Sequence, residues 1–164
     1  MADHLYTAEV SWKLEGELDK GRYSRAHVWR FDGGIEVPAS ASPSVVPLPH
    51  SLEAAVDPEE AFIAAIASCH MLTFLDIARR KGVRVVTYQD AAEALMQVID
   101  VDSHPKRMGI TRVTLNPVLT VEGSDAPDAA LLSQLHHQAH DLCFIANSVK
   151  CDIIVAEHPV KLVG

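Results

Sequence analysis

Hydrophobic and polar positions alternate along residues 6–14. Tyr6, Ala8, Val10, Trp12 and Leu14 fall on one side, and Thr7, Glu9, Ser11 and Lys13 on the other. A period of two predicts a half-buried strand. A polar turn follows around residues 17–21, then a second strand over 23–31. Asp32-Gly33-Gly34 is a hairpin signal, with a third strand beginning at Ile35 and Val37. Residues 38–56 hold Pro38, Pro43, Pro47 and Pro49 among small residues. That proline density predicts a long loop, either functional or a plain surface excursion.

The pattern then changes period. Asp57-Pro58-Glu59-Glu60 opens a helix, with Asp57 at the N-cap, Pro58 at N1 and Glu60 at N3 closing an acidic capping box. The helix is predicted to run to Lys81 and stop at Gly82, with Arg79, Arg80 and Lys81 at its negative end. It would be about 36 Å long and apolar almost all round, which places it in a core or a subunit interface. Strands are predicted over 83–88 and 94–101, with a turn at 102–105. One further strand carries Thr111, Val113, Leu115, Leu119 and Val121. A second helix over 128–142 has Leu131, Leu135, Ala139 and Leu142 on one stripe, and a short strand over 153–156 ends the pattern. Three strands, a helix, more strands and a second helix indicate an α+β fold.

The length of 164 residues predicts one domain, or at most two small ones. The whole chain, 1–164, is read as one domain with 38–56 as its loop. Fourteen Lys+Arg against twenty-two Asp+Glu give a net charge of −8, which argues against nucleic acid or an anionic membrane as partner. The acid at Asp3, with no apolar run after it, predicts no secretory leader. The apolar stretch 61–78 is interrupted by Ser68, His70, Thr73 and Asp76, so a core helix is expected rather than a membrane span. These features predict a soluble cytoplasmic protein whose three cysteines stay reduced unless they do redox chemistry.

Cys69 sits mid-helix among Ala65, Ile66, Ala67 and Phe74, where a cysteine is either a small hydrophobe or a thiol activated by a nearby cation. Cys143 lies on or just past the second helix, and Cys151 heads a strand. No CxxC pair is present, so any Cys69–Cys143 pairing is tertiary. A competing constellation is His136, His140 and Cys143 on one helical face, with His137 and Asp141 nearby, a spacing compatible with zinc. Arg22, Arg25 and Arg30 lie near the second strand as surface charge or as functional cations. Glu59, in the first helical turn, suits the helix dipole in any case.

The segment Asp57-Pro58-Glu59-Glu60-Ala61-Phe62-Ile63-Ala64-Ala65-Ile66-Ala67-Ser68-Cys69-His70 resembles the OsmC/Ohr family of thiol-dependent peroxidases. The family pattern there is Asn-Pro-Glu-(Gln/Glu)-Leu, an Ala-rich helix, then Cys. Cys143, after a His-rich helix, matches the family's second thiol. Gly21-Arg22-Tyr23-Ser24-Arg25-Ala26 is similar to the Gly-Arg-Asp-Gly-Arg-Ala segment of the hydroperoxide-resistance branch, with Arg22 the counterpart of the catalytic arginine and Arg25 the runner-up. Asp57 in place of Asn, Phe144 after the second Cys where many members have Pro, and His70 where an aromatic is common mark a divergent subfamily.

The resemblance implies an intertwined homodimer of α+β fold, small antiparallel sheets around two long core helices, with no cofactor and no metal. It implies that Cys69 attacks an organic hydroperoxide and becomes a sulfenic acid, and that Cys143 closes a Cys69–Cys143 disulfide. A dithiol such as a lipoyl group would then reduce it. Arg22 or Arg25 would favour the thiolate and Glu59 would orient the arginine. Ten residues of helix separate Glu59 from Cys69 by about 15 Å, so the two cannot touch directly. Two other readings stay open: a protein of this fold that binds a small ligand without peroxidase activity, and a His/Cys metal-binding protein.

Overall fold

The alternation of residues 6–14 becomes β1 (Ala8–Trp12), at the edge of a three-stranded sheet. The computed structural model describes residues 3–102, 104–123 and 127–164; Ser103 of the expected turn and the first two residues of the segment read for a leader lie outside them. The chain forms two compact units, Met1–Phe62 and Ile63–Gly164.

In the first unit a short hairpin pairs β2 (Gly16–Glu17) with β3 (Arg22–Tyr23). The expected second strand then divides. Arg25 N–H donates to His50 O at 2.9 Å, and the chain re-enters regular structure as β4 (His27–Phe31). β4 pairs antiparallel with β1 and with β5 (Glu36–Ala39), giving the order β1-β4-β5. Pro38 was expected in a loop, yet it lies inside β5. An edge strand tolerates a missing N–H. The loop is tied shut at its base. Ser40 N–H donates to Val56 O (3.0 Å), Val56 N–H to Pro38 O (3.1 Å) and Leu52 N–H to the buried Ser40 Oγ (2.9 Å).

Helix α1 (Pro58–Arg80) begins as its capping box predicts: Glu60 N–H donates to Asp57 Oδ1 at 2.8 Å and Asp57 N–H to Glu60 Oε2 at 3.1 Å. It ends in a Schellman turn, with Val83 N–H on Ala78 O (2.9 Å), Gly82 N–H on Arg79 O (3.1 Å) and Gly82 at φ 79°. By length and composition alone α1 is apolar enough to cross a membrane. Its buried stripe is Ile66, His70, Phe74, Ile77 and Ala78.

Two further sheets complete the second unit. One has the order β11-β9-β6, from β6 (Val85–Asp90), β9 (Pro117–Glu122) and β11 (Lys161–Val163). The other has the order β10-β8-β7, from β7 (Glu93–Asp100), β8 (Arg107–Leu115) and β10 (Asp152–Val155). Both are mixed rather than purely antiparallel, because β10 runs parallel to β8 and β11 to β9. The single strand expected across 111–121 is two strands in different sheets. Asn116 breaks it, its N–H donating to Asp90 Oδ1 at 2.7 Å. Two register shifts interrupt the β7–β8 ladder, and Gly109 leaves room for the Ile99 side chain, which would stand 3.1 Å from an added Cβ.

α2 (Ala129–Leu142) is capped by Asp128, whose carboxylate accepts from Leu131 N–H at 2.6 Å. Leu135 and Ala139 are buried with Phe74, Ile77 and Ala78 of α1 and with Leu119 and Val121 of β9, whereas Leu142 of the expected stripe is exposed.

Gly16 adopts φ 107°, and an added Cβ would stand 2.4 Å from Arg22 O in the facing strand. Gly16→Ala is expected to destabilise the chain by about 1–2 kcal/mol through the Arg22 hairpin. Gly33→Ala, in open space, should be near neutral. Denaturant midpoints of the two variants check this.

Candidate active site

Helix α1 carries Cys69 half-buried, one residue before the buried His70. Cys143 is the C-cap of α2, its N–H donating to His140 O at 3.2 Å. It is completely buried, and its Sγ accepts Ala146 N–H at 3.4 Å. The fold brings Cys69 and Cys143 together: the Cys69 thiol lies near enough to act on the titration of Cys143, and both are free. Burial pushes the Cys143 thiol up to about 11. The neighbouring Cys69 thiol adds to this, the Ala146 amide opposes it, Cys69's charge raises it further and the Ile145 amide lowers it. At neutral pH, Cys143 is therefore a buried, protonated thiol held against a more accessible one. Cys151 precedes β10, half-buried and free, and burial raises its pKa too.

Beside the thiols lies a polar contact that the sequence did not announce. His70 Nε2 and His136 Nδ1 are 3.1 Å apart, one donating to the other. The rings are 1% and 8% exposed and nearly parallel at 7°, and Phe74 stacks on His136 at 4.2 Å. Burial first, then the charges of His136 and His140, lower His70 to about 4. Burial lowers His136 to about 4 against the opposing charge of Glu157. The pair is thus two neutral imidazoles. Among the described residues His140 Nδ1 is buried without a hydrogen-bond partner, and His137 faces Asp141 at 3.7 Å. A metal site on His136, His140 and Cys143 does not assemble: His136 commits Nδ1 to His70, and no three His, Cys, Asp or Glu side chains among the described residues are placed to hold an ion.

The arginines and Glu59 belong to the first unit. Arg22 pairs with Glu17 at 2.7 Å, both exposed. Arg25 stacks its guanidinium 3.6 Å from the Tyr23 ring centroid and donates to Tyr23 O (2.5 Å) and Gly21 O (3.3 Å). With Val10, Trp12, Leu18 and His27 it lines a largely apolar cavity of about 450 Å³. Arg30 bridges Glu9 (2.9 Å) and Glu36. Glu59 is half-buried in the first turn of α1, and among the described residues it is paired with neither Arg22 nor Arg25.

Residues 50–157 match the family profile described as OsmC-like protein. The chain belongs to the OsmC-like family. An OsmC-like protein of unknown function from Vibrio cholerae is 40% identical, with 98% of this chain and 100% of that one covered and a TM-score of 0.85. An organic hydroperoxide resistance protein from Elizabethkingia anophelis, solved with thiocyanate bound, is 16% identical over 98% of each chain, TM-score 0.64. The organic hydroperoxide resistance protein OhrB of Bacillus subtilis is 19% identical over 98% of this chain and 100% of that one, TM-score 0.59. At those identities the last two share the OsmC-like α+β fold. No functionally curated protein matches at a significant level.

Within this OsmC-like chain the histidine pair is what residue-by-residue reading missed. A signal existed: His70 falls in the stripe of Ile66, Phe74 and Ile77, and His136 adjoins Leu135 and Ala139. A polar residue in an apolar stripe requires a buried partner.

The same pair fixes a pH dependence. An unfolded histidine titrates near 6.5, and His70 and His136 in the fold titrate near 4, so between these values the unfolded chain binds more protons. The pair's contribution to stability is full above pH 6.5, is lost as pH falls towards 4, and levels off below. Each tenfold loss of proton affinity is about 1.4 kcal/mol. Urea midpoints from pH 8 to 4 should fall less steeply in the double variant His70→Phe, His136→Phe than in the natural protein.

Proposed function

We propose that the protein is a thiol-dependent peroxidase that reduces organic hydroperoxides to alcohols. The observation that carries this reading is the neighbouring pair of free thiols, half-buried Cys69 and fully buried Cys143. The Cys69 thiolate attacks one peroxide oxygen and the O–O bond breaks. The alkoxide takes a proton and leaves as the alcohol, and Cys69 becomes a sulfenic acid. Cys143 attacks that sulfur, its thiol proton and the sulfenic hydroxyl depart as water, and a Cys69–Cys143 disulfide forms before further oxidation. A dithiol, with a lipoyl group the expected form, is oxidised to its own disulfide as it restores both thiols. No metal or organic cofactor is needed.

The family resemblance extends the proposal. Arg22, with Arg25 as runner-up, stabilises the thiolate and the peroxide oxygens, and Glu59 orients that arginine. The working form is a homodimer, in keeping with an α1 that leaves Leu72 62% exposed in one chain. A cytoplasmic setting, where thiols stay reduced, suits the chemistry.

The test is consumption of tert-butyl hydroperoxide by reduced protein with dihydrolipoamide. Cys69→Ser is expected to abolish it; undiminished activity in that variant overturns the assignment. Cys143→Ser should complete one turnover and then accumulate sulfinic acid, seen by mass spectrometry. Arg22→Ala should lower kcat/KM by about 10²-fold or more, as loss of one transition-state donor does. A larger loss in Arg25→Ala would move the role to that residue.

A second reading, a ligand-binding protein without peroxidase activity, is favoured by the apolar cavity of the first unit, where Arg25 is the cation. Its mark is binding that survives Cys69→Ser.

A further inference from the structure

The two thiols are one point of contact between α1 and α2, and the His70–His136 hydrogen bond is another. The two contacts are one residue apart on α1 and seven apart on α2. Seven residues are close to two helical turns, so His136 and Cys143 share a face of α2. A single contact between two helices leaves rotation about it. A second, directional contact removes that freedom, which apolar packing with its lack of direction does not do alone.

We propose that His70 and His136 are positioning residues for closure of the Cys69–Cys143 disulfide, acting through the hydrogen bond that ties the two thiol-bearing helices. The proposal rests on the thiol-peroxidase reading for its physiological use. The ordering of the two sulfurs is a separate physical claim and is tested separately.

The chemistry explains why such a device is needed. Two neighbouring sulfurs must close to about 2.05 Å with a narrow range of dihedral angles. A misplacement near 1 Å at a reacting pair costs about 10²-fold in rate. Two imidazoles buried in an apolar stripe carry a desolvation cost that two leucines would not. What they supply instead is a fixed direction and distance between α1 and α2.

The bond also has a condition. It needs one N–H and one lone pair, which two protonated rings cannot provide. His70 is faced by His136 and His140. His136 is faced by His70 and Phe74, and by Glu157 from the segment between β10 and β11. A cavity of about 220 Å³ lined by Ser133, His136, His137, His140 and Glu157 reaches the His136 side of the pair. Disulfide closure should therefore lose its positioning in acid.

The experiment separates the two thiol steps. Reduced protein receives one equivalent of tert-butyl hydroperoxide; dimedone trapping reports the sulfenic acid and thiol counting reports disulfide closure. A parallel arm uses diamide, which takes two electrons and two protons from a pair of neighbouring thiols and needs no peroxide chemistry. His70→Leu and His136→Leu should form sulfenic acid within about threefold of the natural rate but close the disulfide about 10²-fold more slowly in both arms. His70→Gln and His136→Asn, whose amides can replace the Nε2 and Nδ1 contacts, should recover most of that loss. The closure rate of the natural protein relative to His136→Asn should hold from pH 8 to 5 and fall as pH drops through about 4. Unchanged closure in folded leucine variants, or amide variants as slow as the leucine ones, overturns the proposal. If a leucine variant fails to fold, the amide variants and the pH ratio decide it. Histidine-dependent closure with diamide, in a protein that forms no sulfenic acid with peroxide, would keep the positioning claim and reject the peroxidase reading.

Discussion

The candidate site depends on the contact between α1 and α2. Phe74, Ile77 and Ala78 on one helix and Leu135 and Ala139 on the other exclude water from it. Within that contact imidazole meets imidazole at 3.1 Å, and the two thiols are neighbours. Burial gives each of these pairs its character. It keeps the Cys143 proton on sulfur and keeps protons off both rings. The imidazole pair is a neutral hydrogen bond, which a low-dielectric interior strengthens.

The two units carry different candidate residues. The N-terminal unit holds the arginines on short strands and a tight hairpin, each guanidinium already engaged by a carboxylate, a carbonyl or an aromatic face. The second unit holds Cys69 and Cys143, on and at the end of helices that share a core with β6 and β9. A side chain at a loop end is easier to redirect than one inside a packed helix pair. The cysteines thus sit at a packed helix contact, and the arginines on short strands and turns.

What the sequence made legible was local or came through resemblance. The capping box at Asp57 and Glu60 and the stop at Gly82 are written in four or five adjacent residues, and they form as expected. The meeting of Cys69 and Cys143 was legible only through the resemblance, since no periodicity links positions so far apart. Period-two alternation across 111–121 was real in its buried Val113, Leu115, Leu119 and Val121, but alternation does not say which sheet a strand joins. The kink at Asn116 depends on Asp90, a partner twenty-six residues earlier. The histidine pair was hidden for the same reason: each ring is an anomaly in its own helix, and only the other ring explains it. β11, at three residues, is too short to show any period.

The interruptions of the β7–β8 ladder bear on solubility. β7 lies at the edge of its sheet and exposes Leu95, Met96, Val98 and Ile99, the composition of a strand on which other chains could stack. Its pairing slips after Leu95 and again after Val98, so no unbroken run exceeds three pairs. The bulges twist the edge away from the flat geometry that an incoming strand requires. An apolar rim broken in this way is a poorer template for stacking than a flat, unbroken one.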